Sequence, residues 1–175
     1  LLDPDFRARV LSEKPLVLGE FETFVTTAFH KMFPIGDSMN YEPSASESVA
    51  AIAKATKQKP EEVAYDALCK DNGDGMLYFP LFNYSDGNLD VLHELHQHPH
   101  TRMGLSDAGA HCGAICDGGM PTFMLSHWTR DRERGAKLSL EHIVRRQTSD
   151  TAKLFGLQDR GRIALGYRAD LNLID

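Results

Sequence analysis

Met76-Leu77-Tyr78-Phe79-Pro80-Leu81-Phe82 is the stretch whose reading decides the fold. It is almost continuously apolar and has the length of a strand, so it reads as a strand buried on both faces, the kind that belongs to parallel sheets. Pro80 has no N–H to give and marks a bulge or an early strand end. Asp86 or Asn88 can cap a following helix with Leu89, Leu92 and Leu95 facing inward, which Pro99 ends. Arg102 to Ser106 then reads as a second short strand. Strand, helix, strand with a connection of this length is a right-handed βαβ unit, and the fold class expected is α/β.

Outward from that centre the punctuation is mostly helical. Asp3-Pro4 is an N-cap followed by proline at the first helical position, and Lys14-Pro15 ends the turn that carries Phe6, Val10 and Leu11. Leu16 to Phe33 is apolar without a clean period and stays open between helix and strand. After a loop from Gly36 to Ser46, Ser44-x-x-Glu47 has capping-box spacing for a helix bearing Val49, Ile52 and Ala53. Pro60 opens the next helix, with Val63, Ala64, Ala67 and Leu68 as its stripe and Asn72-Gly73 as its stop. A long excursion from Asp107 to Leu138 turns helical at Pro121, with Phe123, Met124, His127 and Trp128 spaced for one buried stripe. Ser139 caps a helix packed by Leu140, Ile143 and Val144, Thr148 starts another turn, and Gly156 ends it. Gly161 to Asp175 is strand-like with a turn at Gly166.

Composition narrows the function. The chain has 175 residues, 42% hydrophobic and 25% charged, which suits a folded domain. A formal charge of -6 offers no basic field for nucleic acid or anionic lipid, so neither is expected as a partner. No run approaches the roughly 18 apolar residues of a spanning helix. Three cysteines argue against a disulfide framework and for a reducing, cytoplasmic setting. The opening Leu1-Leu2-Asp3-Pro4 is neither a signal peptide nor an initiator Met, so the chain is expected to be part of something longer.

Ser106-Asp107-Ala108-Gly109-Ala110-His111 stands where an inner strand would end and a flexible turn begin, the position at which β/α barrels hold catalytic groups. Asp107 there suits proton transfer from an activated water or metal binding, or it forms the turn by bonding its own backbone. His111 divides between substrate contact and loop packing. Asn83 and Tyr84, with Ser85, follow the first strand and project polar groups from the same rim, as binding residues or as an ordinary loop. His98-Pro99-His100 has zinc-chelating spacing but precedes its strand, at the end where barrel residues serve stability. His93 and His96 read as solvated helix histidines, Cys112 and Cys116 as small buried hydrophobes, and Arg130-Asp131-Arg132-Glu133-Arg134 as a solvated, self-paired face.

Met103-Gly104-Leu105-Ser106-Asp107-Ala108-Gly109-Ala110-His111 resembles the eighth barrel strand of the amidohydrolase superfamily, and specifically of the N-acyl-D-amino-acid deacylases. Thr148 to Leu157 resembles the helix after that strand, and Gly161-Arg162-Ile163-Ala164-Leu165-Gly166-Tyr167-Arg168-Ala169-Asp170-Leu171 resembles the family's G-x-I-x-x-G-x-x-A-D-L signature. The resemblance implies the C-terminal part of a (β/α)8 TIM-type barrel over residues 1–160, with strands 7 and 8 and their helices, and a return strand of the flanking small β-sandwich over 161–175. A whole barrel takes roughly 250 residues, more than this chain has. It further implies hydrolysis of the amide of a small-molecule N-acyl-D-amino acid by a longer protein, with zinc as cofactor and most zinc ligands outside this chain. Asp107 would bind or face the zinc, take the proton of the attacking water and return it to the leaving amine. Ser106, His111, Asn83 and Tyr84 would contact substrate. Zinc lowers the pKa of bound water to roughly 7, and a carboxylate then moves the proton to a leaving group that cannot depart as an anion. The alternatives are a cyclic amidohydrolase of the dihydropyrimidinase or hydantoinase type, and a non-catalytic scaffold that kept the fold. Uncovered strand edges would favour a homo-oligomer.

Overall fold

Asp3 and Pro4 open the first helix as their chemistry requires. The Asp3 carboxylate accepts from the backbone N–H groups of Asp5 (2.9 Å) and Phe6 (3.4 Å), and Pro4 occupies the position whose N–H needs no partner. The computed structural model describes residues 3–14, 16, 19–104, 106 and 117–174, which divide into two units, residues 1–89 and 90–175.

The first unit contains α1 (Pro4–Ser12), α2 (Glu20–Thr27), α3 (Val49–Thr56) and α4 (Pro60–Leu68). The open region after Leu16 therefore resolves into a helix, a 3-10 turn at Phe29–Lys31 and β1 (Phe33–Pro34). Met32, Val49, Ala53 and Val63 form the core, with Phe29, Ile52, Ala64, Leu77 and Phe79 packed around them. Arg7 on α1 forks onto Asp66 of α4 through two bonds of 2.8 and 2.9 Å. The Ser44/Glu47 box closes a 3-10 turn at Ala45–Glu47, where the Ser44 N–H donates to the Glu47 carboxylate. Ser48 caps α3 itself. Asp71 and Asn72 take left-handed backbone just beyond α4, so the helix stops at Leu68, before Asn72-Gly73.

The expected long inner strand is reduced to β2 (Leu77–Tyr78), half-buried and paired antiparallel with β1 in the register Phe33 to Tyr78 and Pro34 to Leu77. Proline is the physical reason. Pro34 and Pro80 each withhold a ladder donor; past the two paired residues the Ile35 N–H still reaches the Met76 carbonyl (3.0 Å), while at the other end the Met32 carbonyl accepts from the Val49 N–H (2.8 Å) instead.

The second unit contains α5 (Asp90–Gln97), α6 (Met120–Ser126), a π turn over His127–Asp131, α7 (Leu140–Gln147) and α8 (Ser149–Leu154). Arg102 to Gly104 and Ser106 form neither strand nor helix, so the described residues contain no parallel βαβ unit. A strand needs a neighbouring ladder, and Arg102 instead turns its guanidinium onto the carbonyls of Pro99 (2.7 Å) and Thr101 (2.6 Å). Residues 161–174 are likewise turns and extended chain without a ladder. Gly161 (φ +85°) begins that segment because a Cβ there would lie 2.9 Å from Ala152 Cβ and Ser149 Cα. The stripe after Pro121 is found: Met124, His127 and Trp128 are buried and Phe123 is half-buried. α5 differs from expectation, with Leu92 half-buried and Leu95 exposed. No helix among the described residues is long and apolar enough to cross a membrane.

Ser139 caps α7 by accepting from the His142 N–H (3.2 Å), which turns Ile143 (0% exposed) inward while Leu140 remains 53% exposed. Ile143→Ala is therefore expected to destabilise the second unit by about 3 kcal/mol through the cavity left behind. Leu140→Ala is expected to cost far less. Urea unfolding followed by the fluorescence of Trp128, the only tryptophan, measures both.

Candidate active-site region

The expected site residues fall in both units. In the first, Asn83 is exposed and sits at φ +60° directly after the β2 run. That left-handed turn sends Tyr84 inward, where its hydroxyl donates to the Pro43 carbonyl at 2.7 Å. Glu42, also buried, accepts from the Leu89 N–H at 2.9 Å, so the two residues together tie the Tyr41–Pro43 stretch to the chain leading out of the unit. Tyr84 forms one wall of a cleft of about 410 Å³ with Lys31, Ser48, Pro80 and Asp86. Lys31 hangs between the Leu81 carbonyl (3.5 Å) and the Phe24 ring (5.8 Å from its centre), a cation available at the cleft edge.

In the second unit Ser106 is half-buried, while Asp107 and His111 lie outside the described residues, as do Cys112 and Cys116. The chain that precedes Asp107 in sequence is described through Gly104. Its start is gripped by α7: His142 Nε2 is 2.9 Å from the His96 carbonyl, and Arg146 Nη2 donates to the Thr101 carbonyl (2.6 Å) and hydroxyl (3.0 Å). His98 and His100 are exposed, with ring centres 5.6 Å apart. Among the described residues no three His, Cys, Asp or Glu side chains are placed to hold a metal.

The second unit also holds a cluster that joins the buried stripe residues His127 and Trp128 to His93 and His96, which were expected in solvent. His93 stacks on Trp128 (6.3 Å), His96 meets the same ring edge-on (5.0 Å), and His127 sits between Trp128 (5.6 Å) and Phe123 (4.8 Å). Arg132 corrects the solvated-face expectation for residues 130–134. Its side chain is fully buried, donates to Asp90 (2.7 Å) and the Ala136 carbonyl (2.7 Å), and lies 4.9 Å over Trp128. Arg130 and Asp131 do pair with each other at the surface. The alternating charges gave no sign of the difference, because Arg132 is neutralised by Asp90 of α5 and covered by the indole rather than paired with the acids beside it. Gly135 (φ +108°) makes room: a Cβ there would stand 2.6 Å from both Arg132 Nη2 and Asp90 Oδ1. Arg146 was also missed, although its spacing of three from Ile143 puts it on the buried face of α7.

The sequence profile of the amidohydrolase family matches residues 49–175. The chain belongs to this family. Membership implies a TIM-barrel-type fold, and family members commonly use metals. The chain is 31% identical over 131 residues to an uncharacterized protein of Mycobacterium bovis and to uncharacterized proteins from two strains of Mycobacterium tuberculosis. The match covers 74% of this chain and 21% of each relative, so the chain spans about a fifth of the length of the curated relatives it matches. No solved structure matches it.

Two measurements follow from the geometry. Burial, then the charge of Arg146, then the neighbouring His142 and His93, push His96 down to about 4. The unfolded chain takes up this proton first, near the ordinary pKa of 6.5, so stability is full above that pH and declines as pH falls from 6.5 towards 4. Urea midpoints read from Trp128 should show that decline, and His96→Phe should flatten it. Tyr84→Phe should cost about 1 kcal/mol by deleting the bond to Pro43. An unchanged midpoint would show that the tyrosine hydroxyl contributes nothing to folding.

Proposed function

We propose that this chain is part of a metal-dependent hydrolase that cleaves the amide bond of N-acyl-D-amino acids. The observation that carries the reading is the family match over residues 49–175, which contains the Ser106-Asp107-Ala108-Gly109 motif and the Gly161 to Leu171 signature. Asp107 is assigned the proton: it accepts one from the attacking water and delivers it to the departing amine, so that the leaving group departs neutral. A single carboxylate serves both steps because the proton it gains in the first is the one it donates in the second.

Ser106 and His111 flank Asp107 in sequence and are assigned to substrate contact, together with Asn83 and with Tyr84 through its cleft wall. Zinc belongs to this proposal as the group that acidifies water. Its ligands are assigned mainly to segments other than the described ones, where no three-residue set occurs. The relatives being several times longer than this chain, the activity is assigned to the full-length protein.

Amine release from a panel of N-acyl-D- and N-acyl-L-amino acids, run beside hydantoins and dihydropyrimidines, tests the reading. Release of a free α-amine from the acyl amino acids supports it. Ring opening of the cyclic amides alone would move the substrate class to the cyclic amidohydrolases. Asp107→Asn should lower kcat by about 100-fold or more, the scale of a lost general acid–base group.

A further inference from the structure

The cleft of the first unit carries two opposite charges that do not meet. Lys31, half-buried, ends the 3-10 turn Phe29–Lys31 on one side of it, and Asp86, exposed, lines it from the chain after β2. Among the described residues no carboxylate pairs with Lys31 and no cation pairs with Asp86, so the two side chains stand farther apart than an ion pair. An ammonium group has three donors. That of Lys31 makes one long bond of 3.5 Å to the Leu81 carbonyl and rests 5.8 Å from the centre of the Phe24 ring, which leaves donor capacity for an anion.

The walls are held before any ligand arrives. Tyr84, 5% exposed, is tied to the Pro43 carbonyl, and the Gly87 N–H donates to the Tyr84 carbonyl (3.3 Å), closing the turn that carries Asp86. On the other side the Lys31 N–H donates to the Ala28 carbonyl (2.8 Å), and Phe33, two residues on, is buried in β1. Phe33, Pro43, Pro80 and Tyr84 give the cleft its apolar lining. At about 410 Å³ it has the size of a small-molecule site, in which an apolar lining is combined with a few polar groups that fix orientation.

A ligand that satisfies this cleft carries an anion, a cation and an apolar part. We propose that it binds a free α-amino acid with an apolar side chain, the carboxylate on Lys31, the ammonium on Asp86 and the side chain against the apolar lining. An N-acyl amino acid has the carboxylate and the side chain, but its nitrogen is an amide and leaves Asp86 without a counter-charge. The site goes beyond the hydrolytic reading given above, since it requires neither Asp107 nor a metal.

The test is calorimetric titration of the full-length protein with D- and L-phenylalanine, 3-phenylpropanoate and 2-phenylethylamine. The last two lack the ammonium and the carboxylate respectively. One enantiomer of phenylalanine at least should bind about 10-fold or more tightly than either, the scale of one charge-assisted hydrogen bond. Lys31→Met should weaken phenylalanine by about 10-fold and leave 2-phenylethylamine unchanged, because that ligand has no carboxylate to lose. Asp86→Asn should also weaken phenylalanine, but spare 3-phenylpropanoate. Circular dichroism confirms folding, and if Lys31→Met does not fold, Asp86→Asn and the ligand series carry the test. Absence of binding by both enantiomers would overturn the proposal. So would 3-phenylpropanoate binding as tightly as phenylalanine, which reduces the cleft to an anion site. Phenylalanine affinity that survives both substitutions would place the ligand elsewhere and overturn it too. Binding is read without hydrolysis, so each of these failures leaves the Asp107 reading standing.

Discussion

The second unit is organised around a dehydrated cation. Arg132 lies beneath Trp128 and is neutralised by Asp90 at the start of α5, so one side chain joins the π turn to a helix more than thirty positions earlier in sequence. A buried guanidinium demands both a counter-charge and flat apolar cover. Meeting those demands fixes the neighbours: Gly135 must lack a side chain, and Trp128 must present its face. Once the indole is placed, the three histidines His93, His96 and His127 have a surface to pack on.

The first unit depends on a negative constraint. Apolar runs around Phe33 and Leu77 meet as strands, but Pro34 and Pro80 each withhold a ladder donor and the strands are two residues long. The core is then completed by α3 and α4, whose Val49, Ala53 and Val63 close over Met32. The turn at Asn83 follows directly, and its left-handed backbone drives Tyr84 inward to the Pro43 carbonyl. A residue that could serve a binding rim is thereby also a strut of the fold.

Family membership and geometry speak to different parts of the function. The family match reaches from α3 to the C-terminal signature and relates the chain to amidohydrolases. The geometry describes the chain before the motif: α7 presents Ile143 to the core and, one turn on, Arg146 to Thr101. Chemistry at the motif and a firmly held scaffold are separate requirements, and the described residues speak to the second.

Local rules carried far in this protein. Asp3-Pro4, Pro60 and Ser139 each opened a helix where their side-chain chemistry places a first turn, and the stripe from Phe123 to Trp128 was legible because helical spacing is a property of the chain itself. The motif and the glycine signature were likewise readable as residues in order. Tertiary structure alone decided the rest. Whether Met76–Phe82 becomes a long parallel strand or a two-residue antiparallel one depends on which segment lies alongside it, and whether Arg132 and Arg146 face water or core depends on Asp90 and Thr101, both more than forty residues away in sequence. Caps and periods are set by neighbours a few residues apart, whereas strand partners and buried charges are set by groups that meet only after the chain has folded.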